Sequence, residues 1–490
     1  MKKLTERGVA LILTMILLLI LSVMGLSLMF LAQTETWSSM NYRFVSQARD
    51  GAEAGVNAAA NFLLNNYTPP GGTSDPLTAY NINARPVQTT GGSAVILSAN
   101  SNVASTYPVA SVQTAFNTAA QGTLAAGNTT VNYAATATLL SMEQVGVYGS
   151  PTPVTIQTWR ITSDGSINGL RSADVEVSSV MERQITPTFT YAAFAESNGC
   201  GALNFGGGGS TGSYDSSAVV GGVATTSNSD GNVGTNGNLT TNGNPTDIYG
   251  NLSTPRTGVG TCSSSNVTAW TSGSGHVSGS ILELPQPVTY PTPTIPPPGA
   301  TNESISSATT LAPGSYGDIS LTGHGVLTLE PTCPGPPAIP SVLNCTAGIY
   351  NINSISESGA NTSIIIAPIP GTSPAAYLPV ILNVAGVSNS TPVTLTGNSV
   401  QNPSMNPMNF QMMYAGTGTI NLKGNSQACG LLYAPNATFS FAGGSNWYGA
   451  VIGASMGDLG GATIYYDRRL SNSAFTVGNW MLDSFTWKKY

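Results

Sequence analysis

The chain opens with a run of 24 residues, Val9 to Ala32, that contains no charged side chain. A helix of this length spans about 36 Å at 1.5 Å per residue, which is enough to cross a hydrocarbon core of about 30 Å. A secretory signal peptide usually has a shorter apolar core, of about 7–15 residues, followed by a cleavage site of small residues. The pattern therefore predicts a membrane-spanning helix that stays on the chain.

The basic residues Lys2, Lys3 and Arg7 come immediately before this run. Because positive charge is retained on the cytoplasmic side, we expect a single pass with the N-terminus in the cytoplasm and the bulk of the chain exported.

The helical pattern continues beyond the apolar run. Apolar residues recur close to the i, i+4 spacing of a helical stripe, at Phe44, Ala48, Ala52, Val56, Ala59 and Leu63. The sequence "YTPPGG" at 67–72 then ends the helix, because proline and glycine break helical structure. We expect one helix over 9–65, preceded by a leader of residues 1–8.

Three segments with alternating apolar and polar residues follow: "TTVNYAATATLLS", "VTIQTWRITSDGSING" and "SADVEVSSVMER". The Asp-Gly pair at 164 and the Asn-Gly pair at 168 predict turns between the last two. These segments predict a small antiparallel sheet packed on the helix, an α+β head over residues 66–190.

Short apolar segments separated by glycine and asparagine are typical of residues 191–470. Gly-Asn pairs begin at 231, 237, 243 and 250, and "LKGNSQACG" recurs as "FAGGSNWYG" 19 residues later. Periodic turn residues between short strands predict an all-β solenoid, or β-helix. For residues 205–260 a flexible linker remains an alternative. The Pro-rich segment 284–299 should interrupt the repeats as an extended strap, and 471–490 should form a C-terminal tail.

Composition narrows the class of protein further. Only 8% of the residues are charged, 41% are hydrophobic, and the formal net charge is −7. Few charges and many apolar residues favour folded β structure over disorder. The net negative charge argues against the surface patch of Lys and Arg residues that is typical of nucleic-acid-binding proteins. No nucleic-acid partner is predicted.

All five cysteines lie in the second half of the chain, which export would place in an oxidising compartment. Cys333 and Cys345 bracket a Pro-rich loop and form the best local candidate for a disulfide. Cys200 with Cys262 is a second candidate, which leaves Cys429 over. The chain has no C-x-x-C motif and only two separate histidines, so we predict no metal site and no cofactor.

Catalytic chemistry is not predicted either. Polysaccharide-cleaving β-helices need clustered acidic and basic residues, whereas those of this chain are scattered, and no nucleophile elbow, phosphate loop or zinc motif is present. Asp467, Arg468 and Arg469 are read as a surface ion cluster. The aromatic residues near the C-terminus, Trp447, Tyr448, Tyr465 and Tyr466, predict core stacking, with a sugar-binding strip as the alternative.

Two stretches of the N-terminal helix resemble a known family. The leader ending in Gly8 with the run "RGVALILTMILLLILSVMGLSLM", and "AEAG" at Ala52, Glu53, Ala54 and Gly55, resemble the PilX-type minor type IV pilins. The resemblance implies that a prepilin peptidase cuts between Gly8 and Val9. It also implies a helix that is held in the inner membrane before assembly and in the filament core afterwards.

The C-terminal region resembles the β-helix module often fused to such N-termini, through "YAPNA" at 433–437, "YGAVIG" at 448–453 and "IYYDRRL" at 464–470. The sequence departs from most major pilins at Leu13, where they carry a glutamate that is thought to neutralise the amino terminus of a neighbouring subunit. This departure and the size of the chain favour a position at the filament tip.

The expected function is a non-enzymatic minor pilin or pseudopilin that primes assembly and presents a β-solenoid for adhesion or surface contact. The expected partners are other pilins, the assembly platform, the prepilin peptidase, the inner membrane and a surface polymer or cell ligand. After assembly we expect the chain on a pilus at the cell surface or in the periplasm. A tip pseudopilin of type II secretion and a membrane-anchored surface protein that is not a pilin are the alternatives.

Overall fold

The computed structural model describes residues 4–126, 129–148, 153–168, 172–243, 246–335, 340–359, 361–396, 400–423, 428–444 and 446–489. They form two compact units. Unit 1 comprises residues 1–145, 154–184 and 477–490, and unit 2 comprises residues 146–153 and 185–476. Almost all of unit 2 is therefore inserted into the chain of unit 1.

Unit 1 begins with helix α1, Leu4–Asn65, which confirms the predicted long N-terminal helix. A shorter helix α2 spans Ala110–Ala119. The strands of this part of the chain are β1 (Tyr80–Asn81), β2 (Gln88–Thr89), β3 (Ile96–Ser98), β4 (Gln121–Ala126), β5 (Thr129–Val145), β6 (Val154–Ile167) and β7 (Ala173–Pro187).

The three long strands β5, β6 and β7 pair in antiparallel order, as their alternating pattern predicts. β6 buries Trp159 and Ile161 while the residues between them face outward. The buried side chains of the sheet share one core with Ala52 and Val56 of α1. Alternation on the strands and the helical stripe therefore build the same hydrophobic layer.

The C-terminal segment differs from the predicted tail. Residues Phe475–Lys489 form strand β34, and the sheet of unit 1 has the order β3-β5-β6-β7-β34, with β4 also paired to β5. The sequence "FTVGNWMLDSFTWKK" has the alternation of a strand, which explains why it extends a sheet.

Unit 2 is β-rich, and its strands are short. The first group comprises β8 (Ala193–Ala195), β9 (Leu203–Phe205), β10 (Ser210–Tyr214), β11 (Val233–Thr235), β12 (Leu239–Thr241), β13 (Asp247–Ile248), β14 (Leu252–Thr254), β15 (Trp270–Ser272), β16 (His276–Val277) and β17 (Ile281–Glu283). We call this group the first half-ladder.

The second half-ladder contains the remaining strands of unit 2. They are β18 (Glu303–Ile305), β19 (Ala308–Leu311), β20 (Gly314–Ser315), β21 (Asp318–Leu321), β22 (Val326–Leu329), β23 (Gly348–Ile352), β24 (Ser354–Glu357), β25 (Ser363–Ile366), β26 (Val380–Val384), β27 (Val393–Leu395), β28 (Val400–Gln401), β29 (Phe410–Tyr414), β30 (Thr419–Lys423), β31 (Ala428–Ala442), β32 (Asn446–Gly460) and β33 (Thr463–Asp467).

Both half-ladders are built from parallel pairs in which a strand commonly bonds to the third strand after it. β11 pairs with β14 and β12 with β15, and β24 pairs with β27 and β27 with β30. The register places like residues above one another: Leu203 lies opposite Leu239, and Val233 opposite Leu252. All four side chains are fully buried, so successive repeats stack their apolar side chains in columns.

The two half-ladders stack out of sequence order. The first strands of the first half-ladder pair with the last strands of the second: β8 and β9 with β32, and β10 with β33 over five residues. The chain therefore leaves this junction through the strands β8 to β17 and comes back to it through the strands β18 to β33.

The Pro-rich strap, residues 284–299, connects the two half-ladders. The side chain of Asn236 donates to Val288 O (2.7 Å) and accepts from Val288 N (2.8 Å), as a neighbouring strand would. Further along, Tyr290 N donates to Glu196 Oε1, and Tyr433 Oη donates to Pro291 O (2.6 Å). The strap is therefore fixed to residues of both half-ladders.

Replacing Asn236 by alanine should release the strap. Asn236 is 5% exposed, and its loss leaves the Val288 N–H and C=O unpaired, which costs about 1–3 kcal/mol. We expect faster amide exchange and faster proteolysis in residues 284–292. The exposed Asn361→Ala should leave both rates unchanged, and equal rates in the two variants would show that the strap is held by other contacts.

Candidate functional site

The expected cleavage site between Gly8 and Val9 lies in the first turns of α1. From Val9 to Leu31 the large apolar side chains are 50–67% exposed, Leu13 among them at 63%. Among the described residues α1 is long and apolar enough to cross a membrane, with a mean hydropathy of 2.9 in its most apolar window. This half of the helix has a surface suited to lipid or to other apolar helices rather than to water.

The second half of α1 carries the Ala52–Gly55 motif, whose residues face two directions. Ala52 and Gly55 are buried against the sheet of unit 1. Glu53 points away and accepts a hydrogen bond from Arg49 Nε (2.8 Å), one helical turn earlier. The motif thus places small residues against the sheet and an ion pair on the outer side of the helix.

Helix α1 approaches strands β5 and β6 closely, through glycines on the helix and on β6. A Cβ on Gly51 would overlap the side chain of Val131, and a Cβ on Gly55 would overlap Ser163. On the strand, a Cβ on Gly165 would overlap Ala48 O and lie 2.5 Å from Ala52 N. Only glycine permits this separation of backbones. We call these three residues the glycine seam.

Gly165 is a correction to the sequence analysis. Its Asp-Gly pair predicts a turn, but the structure places it inside β6, opposite Tyr133 on β5 and Val175 on β7. The physical reason is close packing against α1 rather than a left-handed backbone. A glycine that continues a strand pattern is the signal that could have indicated such an approach.

The structure joins the cysteines in the two candidate pairs, Cys200–Cys262 and Cys333–Cys345. Cys429 is a free, buried thiol that packs with Tyr214, Met405 and Tyr448. Burial raises the pKa of this thiol well above its usual range, so it is neutral. Cys429 is a packing residue rather than a reactive nucleophile.

Two motifs from distant parts of the chain meet at strands β10 and β33. "GSYDSS" at 212–217 and "IYYDRRL" at 464–470 lie side by side, with Tyr214 opposite Asp467. Asp467 is 1% exposed and accepts hydrogen bonds from Ser216 N (3.1 Å) and Arg469 N (3.2 Å). The predicted surface ion cluster is therefore wrong for Asp467, which satisfies backbone donors in the interior.

The aromatic and methionine clusters are core residues. Trp447, Tyr448 and Tyr466 are at most 6% exposed, and Tyr465 stacks on Tyr448 with ring centroids 5.1 Å apart. This burial excludes the alternative of an exposed sugar-binding strip. The methionines around Phe410 are buried too: Met405, Met412 and Met413.

A second carboxylate of unit 2 is almost completely buried. Glu357, on β24, is 2% exposed; Oε2 accepts from Thr396 N (2.8 Å), while Oε1 has no hydrogen-bond partner in the described part of the chain. Burial raises the pKa of Glu357 to about 8, partly offset by the Thr396 bond. No group of three or more His, Cys, Asp or Glu side chains suited to a metal occurs among the described residues.

Replacing Gly165 by alanine should disrupt the glycine seam. The added methyl group meets helix backbone, which can move away only if α1 shifts, so we expect a loss of about 1–3 kcal/mol. Thermal unfolding and amide exchange in β6 would measure it. Gly72→Ala is the matched control, because nothing lies within 4 Å of its Cβ position. Equal stability of the two variants would contradict the seam.

Glu357 should make stability depend on pH. The folded pKa of about 8 lies above the usual 4.5, so its contribution is fully present below pH 4.5 and is lost as the pH rises through 8. Glu357→Gln has no carboxylate to ionise, so it should not show this loss of stability, which is on the order of a few kcal/mol. At pH 8.5 the variant should therefore melt at a higher temperature than the wild type. Glu283 is exposed, so Glu283→Gln should melt like the wild type. If Glu357→Gln also melts like the wild type at pH 8.5, Glu357 is not the source of the pH dependence.

Comparison with known proteins adds two family matches. Residues 7–57 match the family described as PilX N-terminal, and residues 383–473 match a domain of unknown function, DUF7305. No curated protein matches the chain. A solved structure, the competence-associated pilin ComZ from Thermus thermophilus, is similar at 13% identity over 91% of this chain and 98% of that chain. Its TM-score of 0.21 is too low to support an argument about fold or function.

The PilX N-terminal match covers the exposed apolar half of α1 and the Ala52–Gly55 motif together. A helix of this length and apolar character is suited to anchor the chain in a membrane. Over residues 7–57, the chain therefore has the N-terminal segment of the PilX family.

Proposed function

We propose that this chain is a minor subunit of a type IV pilus that sits at or near the tip, primes assembly and presents unit 2 for adhesion or surface contact. The observation that carries the proposal is the apolar, exposed half of α1 within the segment that matches the PilX family. Such a surface is stable in lipid before assembly and against the helices of other pilins afterwards.

Maturation begins at the N-terminal end of that segment. A prepilin peptidase cuts between Gly8 and Val9 and removes the basic leader on the cytoplasmic side of the inner membrane. Loss of Lys2, Lys3 and Arg7 removes the charges that hold the N-terminus in the cytoplasm. The assembly platform then moves α1 from the membrane into the filament core.

Leu13 supports the tip position. It is the fifth residue of the mature chain and is an exposed apolar side chain, so it offers no carboxylate to the amino terminus of a neighbour. A charged amine placed in an apolar filament core without a partner is costly. A subunit that cannot accept such a neighbour is best tolerated at the end of a filament.

For unit 2 we propose a β-solenoid. Parallel pairing of every third strand and the stacked apolar columns favour it, since each repeat buries its inward residues against the next. We propose a structural and adhesive role without catalysis, because the strongly buried carboxylates, Glu357 and Asp467, serve backbone N–H groups. The few charges of the chain suit contact with a surface polymer or another cell.

The N-terminal peptide mass of the protein from host membranes tests the proposal. With the prepilin peptidase present, the chain should begin at Val9; without it, residues 1–8 should be retained. The processed protein should co-purify with sheared filaments at low copy number. A chain that keeps its leader in both strains would contradict the proposal and leave an anchored surface protein. Processing with a secretion defect but no surface fibres would replace the pilus by a type II secretion system.

A further inference from the structure

In the first half-ladder, a loop covers the outer edge of strand β15. On one side β15 pairs in parallel with β12, so that Leu239 lies opposite Trp270. On the other side Val259 lies opposite Trp270 in a parallel bridge. Trp270 N donates to Gly258 O (3.4 Å), and Gly260 N donates to Trp270 O (2.9 Å). This is the hydrogen-bond pattern of a parallel ladder, so the loop takes the place of a next strand in the column β9–β12–β15.

The loop that covers β15 consists of residues 255–268, and we call it the edge loop. Near its start, Arg256 Nη2 donates to Asn198 O (3.0 Å), in the turn between β8 and β9. The disulfide Cys200–Cys262 joins the middle of the edge loop to the same turn. Cys200 is exposed, so a thiol in solution can reach this disulfide. The edge loop is therefore held over β15 by a covalent link that a reductant can open.

The edge that the loop covers would otherwise be open to another strand. Unpaired N–H and C=O groups on an edge strand pair readily with strands of other chains, and the ends of stacked repeats are commonly capped for this reason. In the neighbouring column, strand β17 leaves Ile281 (37%) and Leu282 (46%) exposed. This end of the first half-ladder therefore keeps an apolar surface next to the covered edge.

Strand β18 of a second copy matches the covered edge. Parallel pairs connect β18 through β21, β24, β27, β30, β31 and β32 to β9, so β18 belongs to the same column as β15 and has the same direction. Ile305 O accepts from Thr322 N (2.9 Å) after β21, so the N–H and C=O of the next residue back, Ser304, point away from β21. Pairing through Ser304 places Ile305 over Trp270, as Trp270 itself lies over Leu239.

We propose that the edge loop is a disulfide-closed cap, and that its opening lets β15 pair end to end with β18 of a second copy. Opening is a two-electron reduction by a dithiol. One thiolate of the dithiol attacks a sulfur of Cys200–Cys262, and its second thiol displaces the mixed disulfide. The reductant leaves as a disulfide, and Cys200 and Cys262 remain as thiols. Each added copy presents its own β15, so the contact repeats from head to tail. The cap does not depend on the proposed pilus role.

Amide exchange of the full-length protein in detergent tests the cap. In Cys333→Ser/Cys345→Ser, Cys200–Cys262 is the disulfide that remains, and dithiothreitol should speed exchange of the Trp270 N–H at least about tenfold. Cys200→Ser/Cys262→Ser is the matched variant: its exchange should be fast from the start and unchanged by dithiothreitol. Slow exchange in both variants under reduction would show that hydrogen bonds alone hold the edge loop, and would overturn the proposal.

Analytical ultracentrifugation of the same proteins tests the pairing with a second copy. Cys200→Ser/Cys262→Ser should form larger species as its concentration rises, whereas Cys333→Ser/Cys345→Ser without reductant should sediment like the wild type. Adding Ser304→Pro to the first variant removes the outward N–H of β18 and should restore wild-type sedimentation, with exchange at Trp270 still fast. Larger species that persist with Ser304→Pro, or none at all while Trp270 exchanges quickly, would refute the pairing of β15 with β18.

Discussion

The hydrophobic effect on the first half of α1 is the constraint on which the rest of the molecule depends. Large apolar side chains from Val9 to Leu31 are at least half exposed along this helix. Each 100 Å² of such surface costs about 2.5 kcal/mol in water, so the segment requires lipid or neighbouring helices. The helix is consequently suited to a membrane or to packing against other apolar helices, and the rest of the chain is attached to it.

The two halves of α1 have different surroundings, and the pattern of apolar side chains differs between them accordingly. From Val9 to Leu31 it has no charged side chain and is apolar on all sides, as expected for a segment surrounded by apolar groups. From Ala48 onward only one stripe is apolar, and the glycine seam brings that stripe against β6. One continuous helix therefore joins two environments, and small residues mark where the contact with its own sheet begins.

Local pattern predicted what depends on neighbours in sequence: the long helix, the antiparallel strands β5–β7 and the β-rich character of residues 191–470. It did not predict what depends on distant partners. The place of β34 in the sheet, the burial of Asp467 beneath Ser216 and the pairing of β8 with β32 each join segments more than 200 residues apart. The Asp-Gly pair at 164 predicts a turn where the structure has a strand, because a glycine needed for close packing and one needed for a turn look alike in sequence.

The out-of-order stacking of unit 2 has a mechanical consequence. Its chain begins and ends side by side: Thr188 N donates to Ala474 O (2.9 Å), and Tyr148 N donates to Phe475 O (3.0 Å). Tension applied to the flanking chain is then carried across adjacent backbone positions, and the repeats between them are not stretched. A module of nearly 300 residues can thus be attached to a chain under tension while the hydrogen bonds between its repeats stay outside the path of the force.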